Sequence, residues 1–395
     1  MAVGSAATSQ QQFLGISGSG GWSVALRCDV AGDRAVAVFD VMAVSRIDPA
    51  VLDLLRGLGA TDQQIEQAEV ARRLPALAVD LVLSRDFTLS IAEAAAQSRT
   101  SPESLVEIYR LFGLTLDPTG PVLSSGDLTL LSVLGLVGGI PGTGRDAESF
   151  SQAAGENLLR VIGMSVSRIA EAAVSTFVQD IEANLEATEV DLADWVRAEA
   201  RIGQVAQEVA PSLGTLFIHH LLEAIQRQRH AQLDVSERSM ARLAVGFVDL
   251  VGFTPLSRQL SSQDLVALVT HFEARAFDVV SEFGGRIVKH IGDEVMFSAL
   301  YPEDAARIAR ALIREFTSQI NPRGGLCYGE VLTLRGDYYG PIVNLAARLA
   351  EQAVPGEVLI DSTTASLLSD GTHEPAGRRS LKGFDEPVAV SSLTI

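Results

Sequence analysis

Three short stretches in the second half of the chain combine charged or amide side chains with glycine turns. The first, FVDLVGFT (247–254), places Asp249 at the end of an apolar run, with Gly252 three residues later. A carboxylate at the end of a rigid strand, beside exposed backbone amides, suits a hard cation and the phosphate that accompanies it. Asp249 could equally cap the turn that follows, and this stretch alone does not separate the two interpretations.

The second stretch, RIVKHIGDEVMF (286–297), is interpreted as two strands joined by a tight turn at Gly292 and Asp293. Two carboxylates from neighbouring elements can hold Mg²⁺ or Mn²⁺ while substrate phosphates complete the coordination, so Asp293 could share a cation with Asp249. Glu294 is expected to point the other way, since side chains alternate along a strand. Taken alone, this Gly-Asp pair is more typical of an ordinary hairpin turn.

The third stretch, GDYYGPIVNLAARLAE (336–351), places Asn344 and Arg348 four residues apart. On a helix this spacing projects both side chains from one face. Arginine offers a planar fork to a phosphate, and asparagine can orient a hydroxyl or ring oxygen. A solvated polar stripe is the other interpretation of the same spacing.

The elements that must position these stretches alternate between strands and helices from residue 242 onward. RLAVGFVDL is apolar enough for a buried strand, and SSQDLVALVTHFEARAFDVVSEFGG has apolar residues on one helical face before Gly284. The hairpin, a helix from Pro302, a strand at 326–334, a helix at 342–352, a strand at 357–361 and a final strand pair near 378–394 follow. The pattern predicts an α+β domain over 242–395, with helices packed against one sheet.

Residues 48–232 show helical periodicity without strand-like alternation. SPESLVEIYRLFGL is typical of this region, with Ser101 and Pro102 suited to a helix start. We predict an all-α domain here, after an extension at 1–47 that the sequence leaves open and before a polar linker at 233–241. A helix-turn-helix over 87–112 would offer DNA binding, but Glu103 and Glu107 make its second helix a poor phosphate-binding surface.

Composition narrows the class of protein. The 395 residues are 47% hydrophobic and carry a net charge of −18, which supports large cores and disfavours a nucleic-acid partner. The two cysteines lack metal-ligand spacing, and the start MAVGSAATSQ has no signal-peptide pattern, so we expect a cytoplasmic protein. The apolar run at 128–140 is too short to cross a bilayer. We therefore expect no transmembrane span, and peripheral membrane association stays open.

Together the three stretches resemble the catalytic domain of class III adenylyl cyclases over about 242–394, in the same order and spacing. The resemblance implies a ferredoxin-like βαββαβ core. It also implies two divalent cations, Mg²⁺ or Mn²⁺, held by Asp249 and Asp293, and a transition state stabilised by Asn344 and Arg348.

The resemblance also gives roles to the two lysines of the chain, Lys289 and Lys382, which stand among 31 basic residues. Lys289 and Asp337 match residues that read adenine, whose N1 acceptor and N6 donor a lysine and an aspartate complement. Lys382, together with Arg335, would neutralise the triphosphate. The implied reaction converts ATP to 3′,5′-cyclic AMP and pyrophosphate between the two subunits of a homodimer.

The all-α domain resembles the regulatory domain of actinobacterial, pH-responsive adenylyl cyclases, in which a switch helix links the two domains. The stretch LFIHHLLEAIQRQRH contains His219, His220 and His230, three of the six histidines in the chain. Histidine titrates near neutral pH, so this segment predicts that acidification raises activity. Ordinary surface histidines would produce the same pattern.

Two other classes of function fit parts of the sequence. One is a catalytically inactive dimer that senses a nucleotide or another ligand on the same fold, which the complete set of site residues disfavours. The other is a helix-turn-helix transcriptional regulator, which the acidic charge disfavours.

Overall fold

The structure is a computed structural model, and it describes residues 12–17, 23–28, 42–43, 47–137, 151–182, 184, 190–232, 239–316 and 322–395. The chain divides into two compact units, Met1–Pro211 and Ser212–Ile395. The division falls inside one continuous helix, Leu192–Ala231, which contains Pro211. Most of the predicted linker, at 233–238, lies outside the described residues.

The first unit begins with three short antiparallel strands, β1 (Gln12–Ser17), β2 (Ser23–Cys28) and β3 (Met42–Ala43). The sequence left this extension open and suggested strands at SVALRCDV and RAVAVFDV. The first of these corresponds to β2. The second, residues 34–41, lies outside the described residues.

Eight helices follow in the described part of the chain up to residue 232. They are α1 (Pro49–Gly57), α2 (Asp62–Val70), α3 (Leu74–Leu83), α4 (Ile91–Ser98), α5 (Pro102–Leu111), α6 (Ser125–Val137), α7 (Gln152–Phe177) and α8 (Leu192–Ala231). A π-helical turn, Val178–Glu182, extends α7. The predicted helix start at Ser101 is confirmed, because its side chain accepts a hydrogen bond from the Ser104 amide. The all-α prediction for this region is confirmed.

One helix in the described residues, Gln152–Ile181, is long and apolar enough to cross a membrane by length and composition. The prediction of no transmembrane span rested on the apolar run at 128–140 and did not include this segment, which charged residues such as Arg160 and Glu171 interrupt. Most of its side chains are exposed, including Met164, Val166 and Ile169. The described part of the run at 128–140, residues 128–137, belongs to α6, of which Leu131 and Leu134 are buried.

The second unit carries an eight-stranded mixed sheet with helices on both faces. Its strands are β4 (Met240–Leu250), β5 (Arg286–Ile291), β6 (Glu294–Ala299), β7 (Pro322–Leu334), β8 (Asp337–Tyr339), β9 (Val358–Asp361), β10 (His373–Arg379) and β11 (Val388–Leu393). Its further helices are α9 (Phe253–Ser257), α10 (Ser262–Glu282), α11 (Pro302–Phe316), α12 (Pro341–Gln352) and α13 (Ser362–Leu367). The predicted elements are confirmed within a few residues, while β8 and α9 were not predicted.

The strand order is β10-β11-β9-β7-β4-β6-β5, with β8 paired to β7. The elements β4, α10, β5, β6, α11 and β7 form a βαββαβ unit, and the antiparallel order β7-β4-β6-β5 is that of a ferredoxin-like core. The predicted fold of this unit is confirmed.

The two faces of the sheet have separate cores. On one face, α10 and α11 bury side chains such as Phe272 and Leu312 against Phe297. On the other face, α12 packs Leu349 against residues such as Met296, and the turn after β10 contributes Leu381. Charged residues of the functional stretches lie on this second face, as described below.

Candidate active site

Asp249 lies at the C-terminal end of β4, in the pairing register with Glu294 of β6 on one side and Arg323 of β7 on the other. Directly paired residues in a sheet project from the same face. Arg323 donates from Nε and Nη2 to Asp249 Oδ2, at 3.0 and 2.9 Å. Its Nη1 donates to the Glu351 carbonyl oxygen of α12 at 2.7 Å.

Asp293 occupies the predicted two-residue turn between β5 and β6. Gly292 has a φ of +66°, which glycine adopts without steric cost. The amide of Leu250 donates to the Asp293 carbonyl oxygen at 3.3 Å, which ties the turn to the end of β4. Burial, and then the charge of Asp249, raise the pKa of the Asp293 carboxyl. The structure therefore brings together Asp249 and Asp293, as predicted.

The expectation that Glu294 points away from this site is wrong. Asp293 is a turn residue, so the alternation of side chains along β6 begins only at Glu294, which pairs with Asp249. Burial raises the pKa of Glu294 to about 7, and the charges of Asp249, Glu351 and Asp293 contribute. Glu294 therefore belongs to the same carboxylate cluster.

Arg323 is a residue of this candidate site that no sequence pattern predicted. It stands at the start of β7 in NPRGGLCYGE, 74 residues after Asp249, and no local motif connects the two. Only the register of β4 with β7 reveals the contact. The only available signal was an isolated arginine at the edge of an apolar strand.

The carboxylate cluster has the chemistry of a divalent-cation site. The cluster contains four carboxylates, from Asp249, Asp293, Glu294 and Glu351, and two paired arginines, Arg323 and Arg348, so it has an excess of negative charge. Oxygen ligands of this kind suit Mg²⁺ and Mn²⁺. Among the described residues, no three His, Cys, Asp or Glu side chains are grouped so that they could hold a metal ion by themselves. The residues thus fit a cation whose coordination a substrate phosphate completes.

The predicted base-reading pair is also brought together. Lys289 Nζ donates to Asp337 Oδ2 at 2.5 Å, and the Tyr338 amide donates to Asp337 Oδ1 at 2.8 Å. The two residues are 48 positions apart in sequence. Their side chains are 38% and 23% exposed, so both remain accessible to a ligand.

A β-bulge in β5 directs Lys289. Ile287 pairs with Phe297 and Lys289 pairs with Met296, so Val288 is the extra residue between them. Because Met296 belongs to the core on the α12 side, the bulge places Lys289 on that face of the sheet. Arg286, which pairs with Ser298, lies on the same face.

Asn344 and Arg348 lie on α12, as predicted. The helix packs closely on β7 at Gly325, where an added Cβ would overlap the Ala346 carbonyl oxygen and the Ala350 nitrogen. Asn344 is exposed. Arg348 donates to a carboxylate oxygen of Glu351, which connects this helix to the carboxylate cluster.

The two residues predicted to neutralise phosphates both lie in turns. Lys382 is exposed, and the neighbouring Leu381 is buried in the same core as α12. Arg335 and Gly336 form the two-residue turn between β7 and β8, with φ values of +56° and +79°. The structure thus places Lys382 on the α12 side of the sheet and Arg335 beside Asp337.

The three histidines predicted to be regulatory lie on the part of α8 that belongs to the second unit. His219 and His220 are exposed, and His230 Nδ1 lies 2.8 Å from the Gln226 carbonyl oxygen. His220 lines a cavity of about 520 Å³ that also contacts Arg227, Arg335 and Asp337. One of the three histidines, His220, therefore shares a cavity with Asp337, the aspartate predicted to read the base.

Comparison with known proteins identifies the family. Residues 235–390 match the family described as "Adenylate and Guanylate cyclase catalytic domain". An uncharacterized protein of Mycobacterium tuberculosis is 35% identical over 352 residues, which cover 87% of this chain and 89% of that protein. An adenylate cyclase of Streptomyces coelicolor is 31% identical over 304 residues, which cover 75% of this chain and 76% of that protein.

Two further proteins are similar at lower sequence identity. A pH-sensitive adenylate cyclase of Mycobacterium tuberculosis is 26% identical over 243 residues, covering 58% of this chain and 59% of that protein. The crystal structure of an adenylyl cyclase from P. aeruginosa is 27% identical, covers 40% of this chain and 95% of its own, and superposes with a TM-score of 0.36. Because that score is low, the assignment rests on sequence. The chain belongs to the class III adenylyl and guanylyl cyclase family, with a helical region before its catalytic domain.

Proposed function

We propose that this nucleotidyl cyclase acts on ATP and forms 3′,5′-cyclic AMP and pyrophosphate. The observation that carries the choice of ATP is the ion pair between Lys289 Nζ and Asp337 Oδ2 at 2.5 Å. A lysine donor and an aspartate acceptor complement N1 and N6 of adenine. Guanine presents the opposite pattern at that edge, and a mismatch would leave buried polar groups unpaired.

The carboxylate cluster is proposed to hold two divalent cations through Asp249 and Asp293. Bound there, the cations would acidify the ribose 3′-hydroxyl and stabilise charge on the α-phosphoryl group. Arg323 neutralises Asp249 in this structure and would have to share that carboxylate with a cation. Four carboxylates beside two arginines, Arg323 and Arg348, leave the excess negative charge that such binding needs.

The other site residues are proposed to position the nucleotide for in-line attack of its 3′-oxygen on the α-phosphorus. Asn344 would hold the ribose, and Arg348 would stabilise charge that develops on the phosphoryl oxygens. Lys382 and Arg335 would neutralise the triphosphate. Catalysis by positioning and electrostatics is general in phosphoryl transfer.

A homodimer is proposed as the active species. One subunit would supply Asp249 and Asp293, and the other would supply Lys289, Asp337 and the two residues of α12. The chain carries both half-sets, so a two-fold dimer would contain two equivalent sites.

Regulation by pH through α8 is proposed on two grounds. The chain is similar to a pH-sensitive adenylate cyclase, and His220 shares a cavity with Asp337. The charged groups facing His220 across this cavity are Arg227, Arg286 and Arg335, together with Asp337. Replacing both His219 and His220 with Gln should flatten the acid activation; an unchanged pH–activity profile would rule out this segment as the sensor.

Purified protein incubated with ATP and Mn²⁺ tests the proposed reaction, with cyclic AMP measured by chromatography. Wild type should form cyclic AMP, and Asp249→Ala should not. Cyclic AMP formed undiminished by Asp249→Ala would refute the cation assignment. Binding of ATP without turnover would favour the inactive sensing dimer instead.

A further inference from the structure

We propose that Arg286 is a positioning residue for base recognition, which holds the β7–β8 hairpin so that Asp337 meets the purine edge. The inference rests on the proposed function, because it explains how that site would keep its selectivity for ATP.

The contacts of Arg286 surround Asp337 on both sides. Its Nη2 donates to the Gly336 carbonyl oxygen at 2.6 Å, and its Nη1 donates to the Tyr338 hydroxyl at 3.3 Å. Its guanidinium carbon lies 5.6 Å from the centroid of the Tyr338 ring. Arginine can make these contacts together because its planar group carries several donors in a fixed geometry. One side chain of β5 thus holds the residue before Asp337 and the residue after it.

The β-bulge makes this arrangement possible. Residues three apart on a regular strand project from opposite faces. The extra residue Val288 places Arg286 and Lys289 on the same face, where both contact the same hairpin. The bulge therefore lets two basic side chains of β5 contact the same hairpin. Arg286 contacts the backbone and the ring beside Asp337, and Lys289 contacts the Asp337 carboxylate.

The hairpin needs such support because its turn is strained. Both turn residues, Arg335 and Gly336, have positive φ values, of +56° and +79°. This backbone geometry is that of a type I′ turn, which prefers Asn-Gly, and a non-glycine residue such as arginine adopts it at a steric cost. Contacts from outside the turn must offset that steric cost. Arg286 provides one of them, because it donates to the carbonyl oxygen of the turn residue Gly336.

Selectivity should be the property most sensitive to this support. Discrimination by hydrogen bonds depends on each polar atom meeting its partner. A shift of the hairpin would move Asp337 from the base edge while leaving the cluster of Asp249 and Asp293 in place. The ratio of kcat/KM for ATP to kcat/KM for GTP, measured with Mn²⁺, therefore reports the role of Arg286.

Arg286→Ala should lower the ATP-to-GTP ratio about tenfold, since one base contact is weakened. Tyr338→Phe, which removes only one hydrogen bond, should lower it by about two- to threefold. Arg307→Ala is the matched control, because Arg307 is an exposed arginine of α11 paired only with Asp304 in the described structure, and it should leave the ratio unchanged.

A rescue variant separates positioning from direct contact with the nucleotide. Arg335→Asn installs the preferred Asn-Gly turn, so Arg286→Ala combined with Arg335→Asn should recover most of the ratio. Arg335 is itself proposed to meet the triphosphate, but ATP and GTP share that group, so loss of the contact cancels in the ratio. No recovery would mean that Arg286 acts on the nucleotide directly and would overturn the positioning role.

Hydrogen–deuterium exchange of the amides at 334–339 gives a measurement that does not need turnover. Exchange should be faster in Arg286→Ala than in wild type and unchanged in Arg307→Ala.

An unchanged ATP-to-GTP ratio in Arg286→Ala and Tyr338→Phe, or equal losses with both nucleotides, would overturn the inference. If Arg286→Ala does not fold, Tyr338→Phe and Arg286→Lys decide the question. If wild type cyclises neither nucleotide, the proposed function fails instead, and unchanged exchange in Arg286→Ala would separately refute the hairpin contact.

Discussion

At the scale of single residues, two ion pairs hold the charged side chains of the candidate site in place. Arg323 and Asp249 are only 26% and 21% exposed, so their ion pair is partly shielded from water. Lys289 and Asp337 form a second short pair across two strands. In the proposed function each pair would exchange part of its contact for a ligand, a cation at the first pair and a purine edge at the second.

Lys289→Arg should impair the selection of ATP while leaving cation binding intact. A guanidinium would pair with both oxygens of Asp337, whereas the ammonium of Lys289 bonds to one of them, and the adenine would lose its acceptor. We expect the ATP-to-GTP ratio of kcat/KM to fall about tenfold, or about 1.4 kcal/mol. Nucleotide kinetics with Mn²⁺ would measure this change, with Arg307→Lys as the control. A ratio equal to that of wild type would contradict the role of Lys289 in base reading.

Glu294 should make the metal-free protein less stable as the pH rises. Its pKa lies near 7 in the folded protein and at 4.5 ordinarily, so the folded state holds the proton over the interval between these values. A group with a raised pKa stabilises the fold below its ordinary pKa, and that stability is lost as the pH approaches the folded value. The slope for one group is at most about 1.4 kcal/mol per pH unit, and smaller here because Glu294 is partly exposed.

Chemical denaturation of metal-free protein between pH 4.5 and 8 would measure this dependence. Glu294→Gln, which mimics the protonated carboxyl, should weaken the decline in stability relative to wild type. Parallel pH–stability curves for the two proteins would show that Glu294 is not protonated in the folded state.

At the scale of elements, two close contacts position the functional side chains. The first is the support of the β7–β8 hairpin by β5, which the bulge at Val288 makes possible. The second is the contact of α12 with β7 at Gly325, where helix backbone and strand meet without an intervening side chain. Asn344 and Arg348 are therefore positioned by a glycine that lies about 20 residues away in sequence.

Gly325→Ala should lower activity through α12 without touching a catalytic side chain. The added methyl would overlap backbone atoms of Ala346 and Ala350, which cannot rotate away, so the helix must move. Overpacking of this kind costs about 1–3 kcal/mol of stability. We expect a lower thermal midpoint and a kcat reduced at least about tenfold, since small displacements of positioned groups are costly.

Gly356→Ala provides a comparison. It also replaces a glycine of this domain by alanine, but the added Cβ would lie in open space. The positive φ of +85° at Gly356 will lower stability, but the substitution should leave kcat unchanged at a temperature where the protein is folded. Equal losses of kcat in both variants would contradict a specific role for the Gly325 contact.

At the scale of the whole molecule, the proposed homodimer is the assembly that completes each site. The carboxylate cluster and the predicted base-reading pair share one hairpin, on which Lys289 lies four residues before Asp293. Four strand residues span about 13 Å. In the proposed dimer this hairpin would contribute to both sites. Asp293 in its turn would bind a cation in one site, and Lys289 in its strand β5 would contact the base in the other.

Mixing two inactive variants tests that arrangement. Asp249→Ala and Arg348→Ala should each be inactive alone, because each damages both sites of its homodimer. Coexpressed at equal levels, they should recover about a quarter of the wild-type activity, since half of the dimers would hold one intact site of two. Cyclic AMP formation by the mixture is the measurement. No recovery, with heterodimers verified by differential tags, would place each complete site within one subunit.

The sequence by itself determined the order of most elements and predicted most residues of the candidate site. Apolar runs and helix caps such as Ser101 are local, so they can be predicted from neighbouring residues. The spacing of Asp249, Asp293, Asn344 and Arg348 was enough to indicate the family, because each residue belongs to a short stretch of recognisable pattern.

The tertiary structure decided which residues meet across strands. The pairing of Asp249 with Arg323 and Glu294 depends on the register of three strands, and the side to which Lys289 points depends on one extra residue in β5. Register and bulges are set by packing between distant segments, which no local pattern reports. For this reason Arg323 was missed, Glu294 was assigned to the wrong side, and the contacts of Arg286 with the hairpin became visible only in three dimensions.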